Sequence, residues 1–176
     1  MKWLLMAFCV SSVACSTVKQ NDPNIPIGNF YQVPGDANVY RGAQPDHAGM
    51  VWLANHGIKT IINLNDDKNS MEQEAADARA LGLTEISIPI NSFATPNDDD
   101  IKEIESTINI GVPTFVHCQH GQDRTGLIIG LRRVHFYNWT AKDAHDEMLQ
   151  YGFHTILIPL EDYFWDHSKS VPEFHH

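Results

Sequence analysis

The run from Thr114 to Leu131 constrains the fold more than any other part of the chain. Thr114-Phe115-Val116 is apolar and β-prone, and Leu127-Ile128-Ile129-Gly130-Leu131 reads as a buried helix. Between them lies His117-Cys118-Gln119-His120-Gly121-Gln122-Asp123-Arg124-Thr125-Gly126. A strand that passes through a tight loop into a helix turns successive backbone N–H groups inward. The helix start adds about half a positive charge, so the segment forms a cup for an anion. A thiolate is itself an anion, and a cysteine at the base of such a cup has a lowered pKa. Taking a free thiol from about 8.5 to about 6 requires roughly 3.4 kcal/mol, at about 1.36 kcal/mol per unit. A helix dipole supplies at most ~2 kcal/mol, so loop amides, Arg124 and the Thr125 hydroxyl must supply the remainder. Arg124 stays charged at any working pH, and its planar fork holds two phosphate oxygens at once. An activated sulfur beside a phosphate cradle is the equipment for hydrolysing a phosphate monoester through a cysteinyl-phosphate.

His-Cys followed by five residues and Arg-Thr-Gly resembles the signature loop of the cysteine-based phosphatases, the protein tyrosine and dual-specificity phosphatase superfamily. Tyr40-Arg41-Gly42-Ala43-Gln44-Pro45 is similar to the Tyr-Arg-x-x-Gln-Pro segment of small dual-specificity-like members, and Gly57 to Leu64 resembles their next strand. The likeness runs from about residue 28 to 165. It implies that Cys118 is the nucleophile and carrier of the phosphocysteine. Arg124 would bind the phosphoryl oxygens and stabilise the transition state. Gln119, His120, Gly121, Gln122 and Asp123 would offer backbone amides to the phosphate. Thr125 would hydrogen-bond the sulfur and help it leave, and His117 would orient the loop through its backbone. No cofactor is implied.

The general acid departs from the family pattern, which places an Asp a few residues ahead of a proline after the strand preceding the signature. Here Pro89 to Asp100 holds no carboxylate before Pro96; Asp98, Asp99 and Asp100 come after it. Those three read first as a helix cap and dipole-complementing first turn. Asp98 and Asp123 are the two candidate proton donors, with Asp100 behind them and the option that no side chain serves. Asp123 stands in a Gly-x-Asp-Arg-Thr run similar to that of myotubularin-type lipid phosphatases.

The N-terminus is a second strong signal. Met1-Lys2, the apolar run Trp3 to Ala14 and Cys15 have the form of a secretory signal, too short for a permanent membrane span. Ser12-Val13-Ala14-Cys15 resembles a bacterial lipoprotein box, although Ser12 stands where Leu is usual. The expectation is a signal over 1–14, lipidation at Cys15 and export to the periplasm or outer surface. Plain secretion and an uncleaved anchor are the alternatives. Cys9 and Cys15 fall in this segment, leaving Cys118 alone in the domain, with no disulfide to form. His117, Cys118 and His120 lack the paired spacing of a zinc site, so no metal is expected. The other histidines read as scattered and solvated.

A tether over 15–27 and one phosphatase domain over 28–176 account for the rest. Strands are expected at Asn38–Arg41, Ile58–Asn65, Leu83–Ile90 and Thr114–Cys118. Helices are expected at Asp46–His56, Ser70–Leu81, Asp98–Ile110, Thr140–Tyr151 and around Leu160–Trp165, besides the one after the signature. The alternation predicts an α/β fold: a central, mostly parallel sheet flanked by helices, dual-specificity-phosphatase-like, with the site at the carboxyl end of a strand.

The formal net charge is −10. That balance disfavours nucleic acid and anionic membrane surfaces, so membrane contact is expected only through the N-terminal lipid. The partner is instead a phosphorylated protein or a small phosphate ester. The signature loop carries no lysine where inositide-directed relatives often do. Arg41, Lys68, Lys102, Arg132 and Arg133 are the nearby cations, Arg132-Arg133 reading equally as a solvated helix face. Phosphotyrosine and other aryl phosphates lead, with inositol phosphates next. A sulfurtransferase, an arsenate reductase and a non-catalytic phosphate-binding module are the rival readings.

Overall fold

The computed structural model describes residues 22–169, so the signal segment, Cys9, the lipidation candidate Cys15 and His175-His176 lie outside the described residues. Eleven elements follow in order: β1 Tyr31–Gln32, β2 Val39–Ala43, α1 His47–Asn55, β3 Thr60–Asn63, α2 Lys68–Leu81, β4 Thr84–Ser87, α3 Asp98–Asn109, β5 Thr114–Cys118, α4 Asp123–Tyr137, α5 Ala141–Gln150 and α6 Ile158–His167. The sheet order is β1-β2-β5-β3-β4. β5 pairs in parallel with β2 and β3, β3 with β4, and only β1 runs antiparallel. The mixed α/β architecture with a mostly parallel sheet is the one expected. The two-residue edge strand β1 was not, because two residues carry no readable alternation.

Each strand face feeds its own core. Ile61 and Phe115 pack with Met50, Leu53 and Ala78 on the face covered by α1 and α2. Ile62, Val116 and Cys118 pack with Ile104, Leu127, Met148 and Phe164 on the face covered by α3 to α6. Adjacent residues of β5 therefore face different helices: Cys118 faces α4, and His117 faces α2. Ile27, placed in the tether by composition, is buried in the first of these cores, so the packed domain begins slightly earlier than expected.

The caps show where short-range signals mislead. Asp67, not Ser70, caps α2, accepting from the Ser70 amide at 2.8 Å, because an ionised carboxylate three residues ahead of that amide is the stronger acceptor. Asn97 caps α3, taking the Asp99 amide at 2.8 Å, and Asp98 to Asp100 form the acidic first turn. Asp46 and Thr140 cap α1 and α5 as their sequence positions suggest.

α4 is the central helix, buried from Arg124 to Val134. Neither reading of Arg132-Arg133 holds, because both side chains are spent on buried ion pairs. Arg132 Nε donates to Asp36 at 2.9 Å, and Arg133 makes a two-pronged pair with Glu147 at 2.7 Å on each prong. Two histidines expected in solvent are likewise packed: His135 meets Glu105 at 2.8 Å and His145 meets Glu161 at 3.1 Å.

Candidate active site

The loop between β5 and α4 is held by its carbonyls. Arg41 Nη2 and Asn29 Nδ2 each donate to the Gly121 carbonyl at 2.9 Å, Asn29 also reaches the His120 carbonyl at 3.3 Å, and the Gln44 amide donates to the Gln119 carbonyl at 3.3 Å. Pinning the carbonyls outward leaves the loop amides facing in. α4 opens at Gln122 without a side-chain cap, so its first amides are also open to the cup. Arg41, counted among the nearby cations, is buried under the loop with its guanidinium 4.1 Å from the Tyr151 ring centroid. Burial is the main reason its pKa falls to about 10.

A polar chain braces the same loop from the α2 side. His117 Nε2 meets Glu74 Oε1 at 2.9 Å, and Gln44 Nε2 donates to the other Glu74 oxygen. Asn65 Nδ2 donates to Gln44 Oε1 at 2.8 Å and to Gln119 Oε1 at 3.0 Å. His117 therefore acts through its side chain as well as its backbone, where its carbonyl takes the Leu64 amide at 2.9 Å.

Cys118 lies at the base of the cup, 2% exposed. Burial alone pushes its thiol up; the Thr125 hydroxyl and amide, the Arg124 charge and the His120 amide together outweigh that and leave the pKa lowered. The Thr125 hydroxyl is buried with no other hydrogen-bond partner among the described residues. Arg124 is held by one nitrogen: Nη1 donates to Asp66 Oδ1 at 2.8 Å and to the Leu64 and Ile90 carbonyls at 3.3 Å. Its Nε and Nη2 have no acceptor among the described residues, which leaves one edge of the fork for two phosphate oxygens.

A cleft of about 340 Å³ opens over this loop, lined by Gln119, His120, Asp123 and Arg124 together with Ser92, Phe93, His154, Ile156 and Leu157. Asp123 Oδ1 accepts from the His154 amide at 2.8 Å and from its Nδ1 at 3.0 Å. Asp98 is not on the cleft wall. It accepts from Tyr163 Oη at 2.9 Å and lies 3.3 Å from His167 Nε2. Asp66 and His154 escaped sequence reasoning. Asp66 sits in Asn65-Asp66-Asp67 just past β3, next to the strand that ends in Cys118, and a carboxylate so placed was the available signal. Lys68 and Lys102 pair with Glu72 and Asp99 on exposed helix faces and add no charge to the cleft.

Residues 17–157 match the family model described as DSP-PTPase phosphatase fused to NAD+ kinase. The chain belongs to this phosphatase family. It is 27% identical over 137 residues to the dual specificity protein phosphatase TpbA of Pseudomonas aeruginosa, covering 75% of this chain and 57% of that protein. The chain thus spans about half the length of the curated relatives it matches first. A crystal structure of a TpbA variant in complex with phosphotyrosine superposes with a TM-score of 0.60 at 23% identity, covering 92% of each chain. The core catalytic domain of the PP-IP phosphatase SIW14 from S. cerevisiae gives a TM-score of 0.66 at 22% identity, over 79% of this chain and 87% of that one. At these identities the structural likeness establishes a shared phosphatase fold.

Proposed function

We propose that the protein is a cysteine-dependent phosphate monoester hydrolase of the tyrosine and dual-specificity type. The observation that carries this reading is the buried Cys118 thiol, its pKa lowered, beneath the open start of α4 and beside the free edge of Arg124. In the first step the Cys118 thiolate attacks phosphorus, the S–P bond forms and the P–O bond to the leaving group breaks. Arg124 and the amides of 119–124 hold the equatorial oxygens, where charge is spread in the transition state. In the second step water attacks phosphorus, and the Thr125 hydroxyl steadies the departing thiolate.

Aryl phosphates, phosphotyrosine among them, suit the cleft best. Phe93 and Ile156 on its wall are 81% and 82% exposed, an apolar lip beside the phosphate cup. Arg124 is the one Lys or Arg among the lining residues. That supports a single phosphoryl group over a densely phosphorylated ring, so inositol phosphates rank second even though SIW14 is a PP-IP phosphatase. The test is hydrolysis of p-nitrophenyl phosphate: Cys118→Ser is expected to abolish it in a folded protein, because a hydroxyl cannot become the anion near pH 7. Wild-type turnover in that variant would overturn the reading. Export and lipidation at Cys15 are proposed on the Met1–Cys15 pattern, with fractionation of wild type against Cys15→Ala as their test.

A further inference from the structure

Two of the carboxylates near the site are engaged elsewhere. Asp98 is bound to Tyr163 and His167 off the cleft wall, and Asp66 is paired with Arg124. Asp123 does line the cleft, but its Oδ1 is committed as an acceptor to two donors of the same residue, the His154 amide and Nδ1. What the cleft wall does present is the His154 ring itself, more than half exposed and oriented by a carboxylate on its Nδ1. A carboxylate on one ring nitrogen fixes the tautomer and steadies the imidazolium, which leaves the other nitrogen to exchange protons.

We infer that His154 is the proton donor of the reaction, with Asp123 as its positioning residue. The inference rests on the cysteine-phosphatase reading above and names the group that completes it. As the P–O bond to the leaving group breaks, the His154 imidazolium gives the Nε2 proton to the departing oxygen and becomes neutral. When water then attacks the phosphocysteine, neutral Nε2 takes the water proton. The P–O bond to water forms, and the S–P bond breaks to return the Cys118 thiolate. The charged and titratable groups that share the cleft wall with it are Asp123 and Arg124 from α4 and His120 from the loop. His120 is the rival donor, but no side-chain hydrogen bond holds its ring among the described residues.

His154→Asn separates these assignments, because the amide keeps a donor toward Asp123 and the backbone N–H still anchors the loop. The kcat/KM of an alkyl phosphate, which reports only the steps through P–O cleavage, is expected to fall on the order of 10²-fold or more, while the kcat/KM of p-nitrophenyl phosphate stays within about threefold, since nitrophenolate leaves without a proton; kcat for both esters also carries the loss of the base in the second step. The high-pH fall in kcat for the alkyl ester should vanish in His154→Asn. In Asp123→Asn it should move to lower pH, because a neutral acceptor favours the imidazolium less. Equal losses of kcat/KM on both esters in His154→Asn, or no loss, overturn the inference. So does a leaving-group-dependent loss that appears in Asp123→Asn or His120→Asn and not in His154→Asn. Those outcomes leave the wild-type enzyme active; a wild type that turns over neither ester overturns the cysteine-phosphatase reading itself.

Discussion

Gly121 of the signature loop lies against the backbone of Gly42 in β2. A β-carbon at Gly121 would sit 2.7 Å from the Ala43 amide nitrogen and closer still to the Gly42 carbonyl, and the residue's φ of +69° is one that L side chains rarely adopt. β2 cannot retreat, because it is paired along its length with β5, the strand that carries Cys118. The contact joins the two most recognisable stretches of the sequence into one rigid unit. Gly121→Ala is therefore expected to cost about 1–3 kcal/mol of stability. By lifting the loop it should also reduce kcat/KM for p-nitrophenyl phosphate on the order of 10²-fold. A variant with wild-type thermal midpoint and wild-type kinetics would show that the loop does not rely on this seating.

The pair of His117 and Glu74 is sealed, with side chains 0% and 1% exposed. Glu74→Ala leaves a buried ring nitrogen without its acceptor and cuts the chain through Gln44 and Asn65 to Gln119. The expected loss is about 3 kcal/mol in urea unfolding. A loss under about 0.5 kcal/mol would place the pair with ordinary surface contacts.

The lowered Cys118 pKa has a definite sign. Burial raises it, and the Thr125 hydroxyl and amide, Arg124 and His120 more than reverse that. The rate of alkylation by iodoacetamide should thus reach half its plateau below about 8.5, the free-thiol value. Thr125→Ala should move that midpoint up. The same shift stabilises the fold fully above about 8.5, and the contribution fades as pH falls through the folded value. An unmoved midpoint in Thr125→Ala would remove the hydroxyl from this role.

His135 runs the other way. Burial lowers its pKa, but the hydrogen bond and charge of Glu105, with the His167 carbonyl, prevail and leave it raised. Its contribution to stability is full below about 6.5, the unfolded value, and is lost as pH rises through the folded one. Urea unfolding of Glu105→Gln should differ from wild type most at about pH 5–6 and progressively less toward pH 8. A difference constant across that range would mean that the ion pair is not what holds His135.

Asp98→Asn tests the acid that the structure places off the cleft. The first turn of α3 loses a charge beside its amides, and Tyr163 and His167 lose their carboxylate partner. A stability loss of about 0.5–1 kcal/mol is expected, with the ratio of alkyl to aryl phosphate turnover unchanged. A fall in that ratio would return Asp98 to the chemistry.

How much could be read from residues alone depended on the range of the interaction involved. The strand-loop-helix around Cys118, the alternation of strands and helices and the mostly parallel sheet rest on local periodicity and spacing, and these were legible in Thr114 to Leu131 and in Ile58 to Leu81. The placement of Cys118 and Arg124 at one loop was legible for the same reason: they are a fixed number of residues apart on one tight turn. What only the tertiary structure decided is where the remaining charges go. Arg41, Arg132 and Arg133 look alike as isolated cations, yet each is buried with a partner 14 or more residues away. Asp66, Asp98 and Asp123 are three loop or helix-start carboxylates with no periodic signal, and burial and partner geometry give one to Arg124, one to Tyr163 and one to His154. A charge is assigned by what desolvates it and what answers it, and both are properties of packing between segments distant in the chain.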